Sequence, residues 1–185
     1  MQTISNAIQI NHCLLKSAVK NARLIIDATC GNGCDTLFLA QNAEQAHIYA
    51  FDIQQTAIDN TMQKTIEYKS KITYIHDSHI NIKNYTKNNF IDAAVFNLGY
   101  LPKSSHLITT QTDTTLKALD IIKDILKTNG IISILAYPGH EEGHNEYLKL
   151  LEYTKTMDKH IFTVGWYCLY NHTNAPALCW IEKQG

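Results

Sequence analysis

Short apolar runs alternate with amphipathic stretches along most of this chain. Residues 24–28, His47–Asp52, Ile72–His76, Ile91–Asn97 and 130–136 are dense in Ile, Val, Ala and Phe, as expected of strands covered on both faces. Between them, residues 35–41, 55–68 and 112–126 carry helical spacing. Asn129-Gly130 is expected to end the last of these helices, since both residues tolerate left-handed backbone angles. After the fifth strand, residues 142–153 read as a helix, and two further strands follow at 161–169 and 178–182. Only residues 170–177, with Asn171, Asn174 and Pro176, separate those two strands. That connection is too short for a helical crossover, so the pair is expected to form an antiparallel hairpin.

The 185 residues suit a single domain spanning 1–185. Hydrophobic residues make up 45% and charged residues 18%, a globular balance without a repeat or a linker. No apolar run reaches bilayer length, and the first ten residues lack the basic start and apolar stretch of a secretory leader. The five cysteines form no CxxC pair, which fits reduced thiols in a cytoplasmic protein better than a zinc site or a disulfide framework. The net charge of −1 and the single arginine, Arg23, give charge no weight as evidence for nucleic-acid binding.

The strongest local signal is Asp27-Ala28-Thr29-Cys30-Gly31-Asn32-Gly33-Cys34-Asp35-Thr36, which follows the first strand and opens a helix. Glycines there permit a tight turn and close approach of a ligand to the backbone. Thr36 stands where a nicotinamide-binding loop would carry its third glycine, and no Gly-Lys-Ser/Thr follows to make a P-loop. Asp27 would repel a pyrophosphate but suits the ammonium of a bound amino acid. The cofactor implied is zwitterionic and free of phosphate, which describes S-adenosylmethionine. Asp52 closes the second strand, where a carboxylate can accept from both ribose hydroxyls, with Gln54 as an auxiliary contact. Asp77-Ser78-His79 follows the third strand, within reach of an adenine amino group. Each feature alone has a plainer reading: a structural turn, or a helix cap at Asp52, Asp77 or Ser78, with His79 a surface or capping residue. Three of them at successive strand ends share one crevice in an α/β sheet, which favours an adenosine site.

The fourth strand runs into Asn97-Leu98-Gly99-Tyr100-Leu101-Pro102. This resembles the Asn-Pro-Pro-Tyr loop of methyltransferases that act on amino groups, with Leu-Gly in place of Pro-Pro. By that resemblance Asn97 accepts from the target amine and Tyr100 stacks on the base; the plainer reading is a turn with Tyr100 packed over it. Tyr137-Pro138-Gly139-His140-Glu141-Glu142-Gly143-His144 follows the fifth strand at the same edge. Its letters fit HExxH, but Gly139 and Gly143 make a poor metal-binding helix. A substrate-binding loop with His140 and Glu141 as substrate-side residues therefore ranks ahead of zinc, which stays the lesser alternative, and no metal is expected. The glutamates alternatively decorate a first helical turn.

A mostly parallel seven-stranded sheet ending in a C-terminal antiparallel hairpin is the organisation of the class I S-adenosylmethionine-dependent methyltransferases, a Rossmann-like α/β fold. The segments 27–36, 51–54, 76–79, 97–102, 137–143 and 171–176 together resemble the YtqB/MnmM family of small methyltransferases, in order and over nearly the whole chain. The resemblance implies methylation of the aminomethyl group of 5-aminomethyl-2-thiouridine at the tRNA wobble position, with the anticodon stem-loop as partner. It implies Asn97, Tyr100, His140 and Glu141 at the reacting end, Tyr100, His140 and Glu141 being candidates for the base. Asp27, Thr29, Gly31, Asn32, Gly33, Asp35, Thr36, Asp52, Gln54, Asp77, Ser78, His79 and Asn97 would hold the cofactor. Lys103-Ser104-Ser105-His106 departs from the family's Gly- and acid-containing segment, on the side of the loop that would meet substrate. A homodimer would enlarge the RNA surface of so small an enzyme. The competing readings are a methyltransferase on rRNA or on a small amine, an NAD-dependent enzyme, and a non-catalytic RNA-binding module.

Overall fold

A computed structural model describes residues 6–87, 90–99 and 112–185. The strands are β1 (Leu24–Asp27), β2 (His47–Asp52), β3 (Ile72–His76), β4 (Ile91–Asn97), β5 (Leu126–Ala136), β6 (Phe162–Tyr167) and β7 (Ala177–Lys183). The helices are α1 (Ala7–Ala18), α2 (Cys34–Asn42), α3 (Gln55–Lys64), α4 (Ile82–Thr86), α5 (Thr112–Ile125) and α6 (Glu141–Lys155). One sheet contains all seven strands in the order β3-β2-β1-β4-β5-β7-β6. The first five run parallel, and β7 inserts antiparallel between β5 and β6, which gives the expected hairpin. Chain order reverses at β1, between β2 and β4, and a crevice at the C-terminal strand ends is the usual result of such a reversal.

Alternation along the strands feeds two cores. Ile25 and Val95 point to one face, with Leu15 of α1, Leu39 of α2 and Ile58 of α3. Ile26, Ala94 and Phe96 point to the other, with Ile82 of α4, Leu119 of α5 and Leu150 of α6. Period-two side chains on strands covered from both sides produce this division.

Three elements differ from the sequence expectation, each for a local reason. Helix α1 has a buried stripe of Ala7, Asn11 and Leu15 at i, i+4 and i+8. A polar residue interrupts the apolar pattern there: Ser133 Oγ of β5 donates to Asn11 Oδ1 at 2.6 Å, while Asn11 Nδ2 is buried without a hydrogen-bond partner among the described residues. Helix α3 stops at Lys64 and passes into a 3-10 turn over Ile66–Lys71. Thr65 marks the change, its hydroxyl donating back to the Thr61 carbonyl at 2.7 Å. Asn129-Gly130 does not end a helix: α5 finishes at Ile125, and Asn129 (φ 63°) lies in β5. Pairing jumps there from Ile91↔Leu126 to Ala93↔Ile131, so the left-handed residue serves a strand irregularity.

Asp92 fastens the other end of the sheet. One oxygen accepts the backbone N–H groups of Arg23 (2.8 Å) and Leu24 (2.9 Å), the other the Lys127 ammonium (2.7 Å). Burial pushes the Asp92 carboxyl up, but Lys127 and the two amides outweigh it and hold its pKa below the usual value. Lys183, at the end of β7, donates to the Lys123 and Leu126 carbonyls at 3.0 and 2.8 Å, closing the C-terminus of α5. We expect Asp92→Ala to lower unfolding free energy by about 2–3 kcal/mol in urea titrations at neutral pH, because two strand-start amides and an ammonium lose their acceptor. The difference between the two proteins should shrink as pH falls through the acid range, where Asp92 itself is protonated.

Candidate functional site

The turn after β1 folds over the crevice. Gly31 (φ 50°) and Gly33 (φ 74°) take left-handed angles, and a Cβ on Gly33 would lie 2.9 Å from the Thr61 Cα of α3. Only glycine combines that angle with that approach. Cys30 N–H donates to the Phe51 carbonyl at 2.8 Å, and Thr61 Oγ1 donates to the Gly31 carbonyl at 3.0 Å. Gly31 N–H reaches Asp52 Oδ2 at 3.0 Å while Gln54 N–H donates to Asp52 Oδ1 at 2.9 Å. The Asp52 carboxylate is therefore held at a fixed orientation by two amides, with lone pairs left for a diol. On the outer side, Asn60 Nδ2 donates to Asn32 Oδ1 at 3.0 Å.

Asp27 is fully buried and accepts from Thr36 Oγ1 at 2.5 Å and Thr29 N–H at 3.3 Å. Burial raises its pKa to about 7, with Asp35 and then Asp52 adding like-charge repulsion against the relief from these donors. Asp35, 6% exposed, accepts from His12 Nε2 at 2.9 Å on one oxygen and from Asn97 Nδ2 at 2.8 Å on the other. Asn97 N–H donates to Thr29 Oγ1 at 2.7 Å. Asp27, Thr29, Asp35, Thr36 and Asn97 thus form one hydrogen-bonded group, with Gly31, Asp52 and Gln54 adjoining it through the turn.

The third-strand residues behave differently. Asp77 accepts from its neighbour Ser78 N–H (2.7 Å), from Asn81 Nδ2 (2.9 Å) and from the Tyr85 hydroxyl (2.9 Å). These bonds, Asn81's foremost, hold its pKa below the usual carboxylate value. Ser78 Oγ accepts from Ile80 N–H at 3.4 Å, a cap on the following 3-10 turn. His79 is not a surface residue: it is 7% exposed, its Nδ1 lies 3.2 Å from the Ala28 carbonyl, and its ring meets Phe96 edge-on. A carbonyl only accepts, so Nδ1 carries the proton, and burial disfavours a second one.

On the substrate side, Tyr100 and the segment 103–106 lie outside the described residues. Gly99 (φ 127°) is described, and a Cβ there would meet the Tyr137 ring at 3.8 Å. Tyr137 is the residue that sequence reasoning passed over as one letter of a polar cluster. Burial and the nearby Asp35 carboxylate raise its phenol to about 12, partly offset by a hydrogen bond from the Asn97 side chain. His140 is the N-cap of α6, its Nδ1 accepting Gly143 N–H at 3.0 Å. Glu142 Oε2 lies 3.4 Å from the same nitrogen, but a nitrogen that accepts the amide proton has none to give to a carboxylate. With His140 extended rather than helical (φ −140°), His140 and His144 do not share the helix face an HExxH site requires. Glu141 is exposed in the first turn of α6. Asn174, on the β6–β7 connection, has its carbonyl 3.7 Å from where a Gly139 Cβ would be, so that loop borders the same edge.

Three carboxylates around a glycine turn, two of them repelling a third that is wholly buried, suit a ligand that brings positive charge and a ribose. They do not suit a phosphate. Residues 48–183 match the family model described as "Putative rRNA methylase". A chloroplastic tRNA (mnm(5)s(2)U34)-methyltransferase from Arabidopsis thaliana is 31% identical over 96% of this chain and 69% of its own length. A solved structure described as a putative rRNA methylase from Clostridium thermocellum superposes with a TM-score of 0.93 at 39% identity, covering 98% of this chain and 99% of that one. A putative methyltransferase from Streptococcus mutans, solved with S-adenosylhomocysteine (SAH), superposes at 0.86 with 36% identity, covering 97% and 99%.

Asp27 sets a pH dependence whose sign is fixed. Its pKa in the folded chain lies above its unfolded value, so the ligand-free protein loses stability as pH rises from about 4 to about 7 and no more above that. At 1.36 kcal/mol per pH unit the full span is on the order of 4 kcal/mol. Urea unfolding at pH 5 and pH 7.5 should show Asp27→Asn losing less stability than the unsubstituted protein over that interval. Parallel pH profiles would show that Asp27 is not the source.

Proposed function

The chain belongs to the "Putative rRNA methylase" family, and from that membership we propose that it is an S-adenosylmethionine-dependent methyltransferase whose substrate is tRNA. The finer reading is N-methylation of the aminomethyl group of a wobble 5-aminomethyl-(2-thio)uridine, carried out in the cytoplasm. The observation that carries it is Asn97, whose amide nitrogen is bound by Asp35 at the mouth of the glycine turn. An amide tied down through its N–H presents its oxygen as an acceptor, which suits an amine substrate. The Arabidopsis relative's name supports tRNA as the substrate class. So does Tyr170, wholly exposed on the loop that borders this edge, since unstacked RNA bases are commonly held on aromatic rings. Among the described residues, no helix is long and apolar enough to cross a membrane.

Asp52 would hold the ribose, the Gly31–Gly33 turn the amino-acid end, and Asp27 the positive charge, while the two Asp35 oxygens are engaged by His12 and Asn97. When bound, S-adenosylmethionine supplies a methyl group on a sulfonium, which only a neutral amine can attack. Asn97 orients the amine by accepting one of its N–H bonds, so that the nitrogen lone pair is left to face the methyl. Holding the two reactants in line is the main contribution, for which effective molarity supplies roughly 7–11 kcal/mol. Tyr137, with its phenol at about 12, stays protonated at neutral pH and acts as a wall of the site rather than as a base. His140, whose Nδ1 lone pair is committed to Gly143, serves α6 in the same hydrogen bond.

Labelled methyl transfer to tRNA lacking wobble methylation, followed by nucleoside analysis, tests the reading directly. Conversion of aminomethyl to methylaminomethyl uridine is expected. Label appearing only in ribosomal RNA or in free amines would overturn the tRNA assignment while keeping the cofactor. Asn97→Ala should lower kcat by about 10²-fold through loss of orientation, with SAH affinity by calorimetry changed far less. Equal losses in both would make Asn97 a cofactor residue instead.

A further inference from the structure

The hydrogen bonds that orient Asn97 begin on α1, outside every sequence motif at the site. His12 of that helix stacks on Phe38 of α2, with ring centroids 4.0 Å apart and planes 12° from parallel. The stack fixes the ring, and its Nε2 stands 2.9 Å from Asp35 Oδ1. The other Asp35 oxygen is 2.8 Å from Asn97 Nδ2. A carboxylate can only accept, so Asp35 distinguishes the two ends of the Asn97 amide and draws the nitrogen to itself. A half-turn of the amide would set oxygen against oxygen. The Asn97 backbone is pinned separately, its N–H on Thr29 Oγ1 at 2.7 Å. What Asp35 decides is therefore confined to the side chain. Asp35 is itself nearly buried, and a carboxylate that loses the His12 donor keeps only Asn97 to fix its last torsion.

We propose that His12 is a positioning residue for methyl transfer: by anchoring Asp35 it fixes the Asn97 amide with its carbonyl oxygen toward the target amine. This rests on the reading of Asn97 as the amine's acceptor. It accounts for the flat ring, which stacks and donates from one edge at once, where a lysine would carry a donor without the stack.

Two substitutions separate the parts of the interaction. His12→Phe keeps the ring and its stack on Phe38 but has no N–H, whereas His12→Gln keeps a donor at similar reach without the ring. In the methyl-transfer assay His12→Phe should lower kcat about 10- to 100-fold, with SAH affinity within about twofold and melting temperature little changed. His12→Gln should recover most of the loss. The side-chain amide signals of Asn97, assigned by their disappearance in Asn97→Asp, give a readout independent of any substrate. They should shift or double in His12→Phe and return toward the original positions in His12→Gln. Unchanged Asn97 signals in His12→Phe would overturn the proposal whatever the activity. Unaltered kcat, or a loss confined to SAH affinity, would overturn it too, the latter assigning the His12–Asp35 pair to the cofactor. His12→Gln as slow as His12→Phe would also overturn it, placing the effect in the ring rather than in its N–H. Altered signals together with no transfer to tRNA by the unsubstituted protein would instead overturn the substrate reading and leave the His12–Asp35–Asn97 linkage standing.

Discussion

Burying a carboxylate at the end of an interior strand is the constraint from which the rest of the functional edge follows. Strand β1 has four residues, is paired on both sides, and ends in Asp27 with no exposed surface. An ionised group in that position is tolerated only with donors supplied to it, and the nearest ones are on the chain that follows. Thr29 and Thr36 reach Asp27 only if the chain reverses at once and starts a helix, which is what the left-handed Gly31 and Gly33 allow. The reversal places the turn between Asp52 and Thr61, which secure it from the two neighbouring elements. Asp35 and Asp52 then add negative charge close to Asp27. A cationic ligand relieves this repulsion, so part of the cost of assembling the site is recovered on binding.

The strands were legible because a sheet covered on both faces needs nearly continuous apolar residues, and runs such as Ile91–Asn97 have little else to be. The glycine turn was legible because its residue types are those that left-handed angles and buried donors demand. Helix α1 was not, because one of its three buried positions is Asn11, whose partner Ser133 lies 122 residues away. His12 escaped for the same reason: its meaning comes from Asp35 and Phe38, to which no spacing rule connects it. Asn129-Gly130 was read correctly as a left-handed site and incorrectly as a helix end, since the same backbone angle serves both purposes. Asp77 and Ser78 show the reverse problem. Ser78 caps the following 3-10 turn as the plain alternative expects, and Asp77 is taken up by Ser78 N–H and the Asn81 and Tyr85 side chains, so only their place at a strand end speaks for more.

The site is also less local than a βα-loop motif suggests. Its turn comes from β1–α2, the carboxylate that holds that turn from β2, its amide from β4 and its buried tyrosine from the end of β5. Helix α1 reaches this edge from before the first strand, while the β6–β7 connection reaches it from beyond the last helix. Tyr137, Tyr167, Leu135, Leu178 and Ala7 pack together there, so the hairpin and the first helix share one small core at the crevice. A sheet edge assembled this way can change its substrate loops while the Asp27 turn stays as it is.

The antiparallel entry of β7 has a practical consequence. Because β7 runs against β5, from Ala136↔Ala177 to Ile131↔Glu182, it carries the chain about 17 Å away from the crevice. Gln184 then bonds Ile161, and Gly185 lies beside Thr128, at the pole where the parallel strands begin. A surface tether, fluorophore or fusion partner joined after Gly185 therefore leaves from the far side of the molecule. A large ligand approaching the crevice would not meet it.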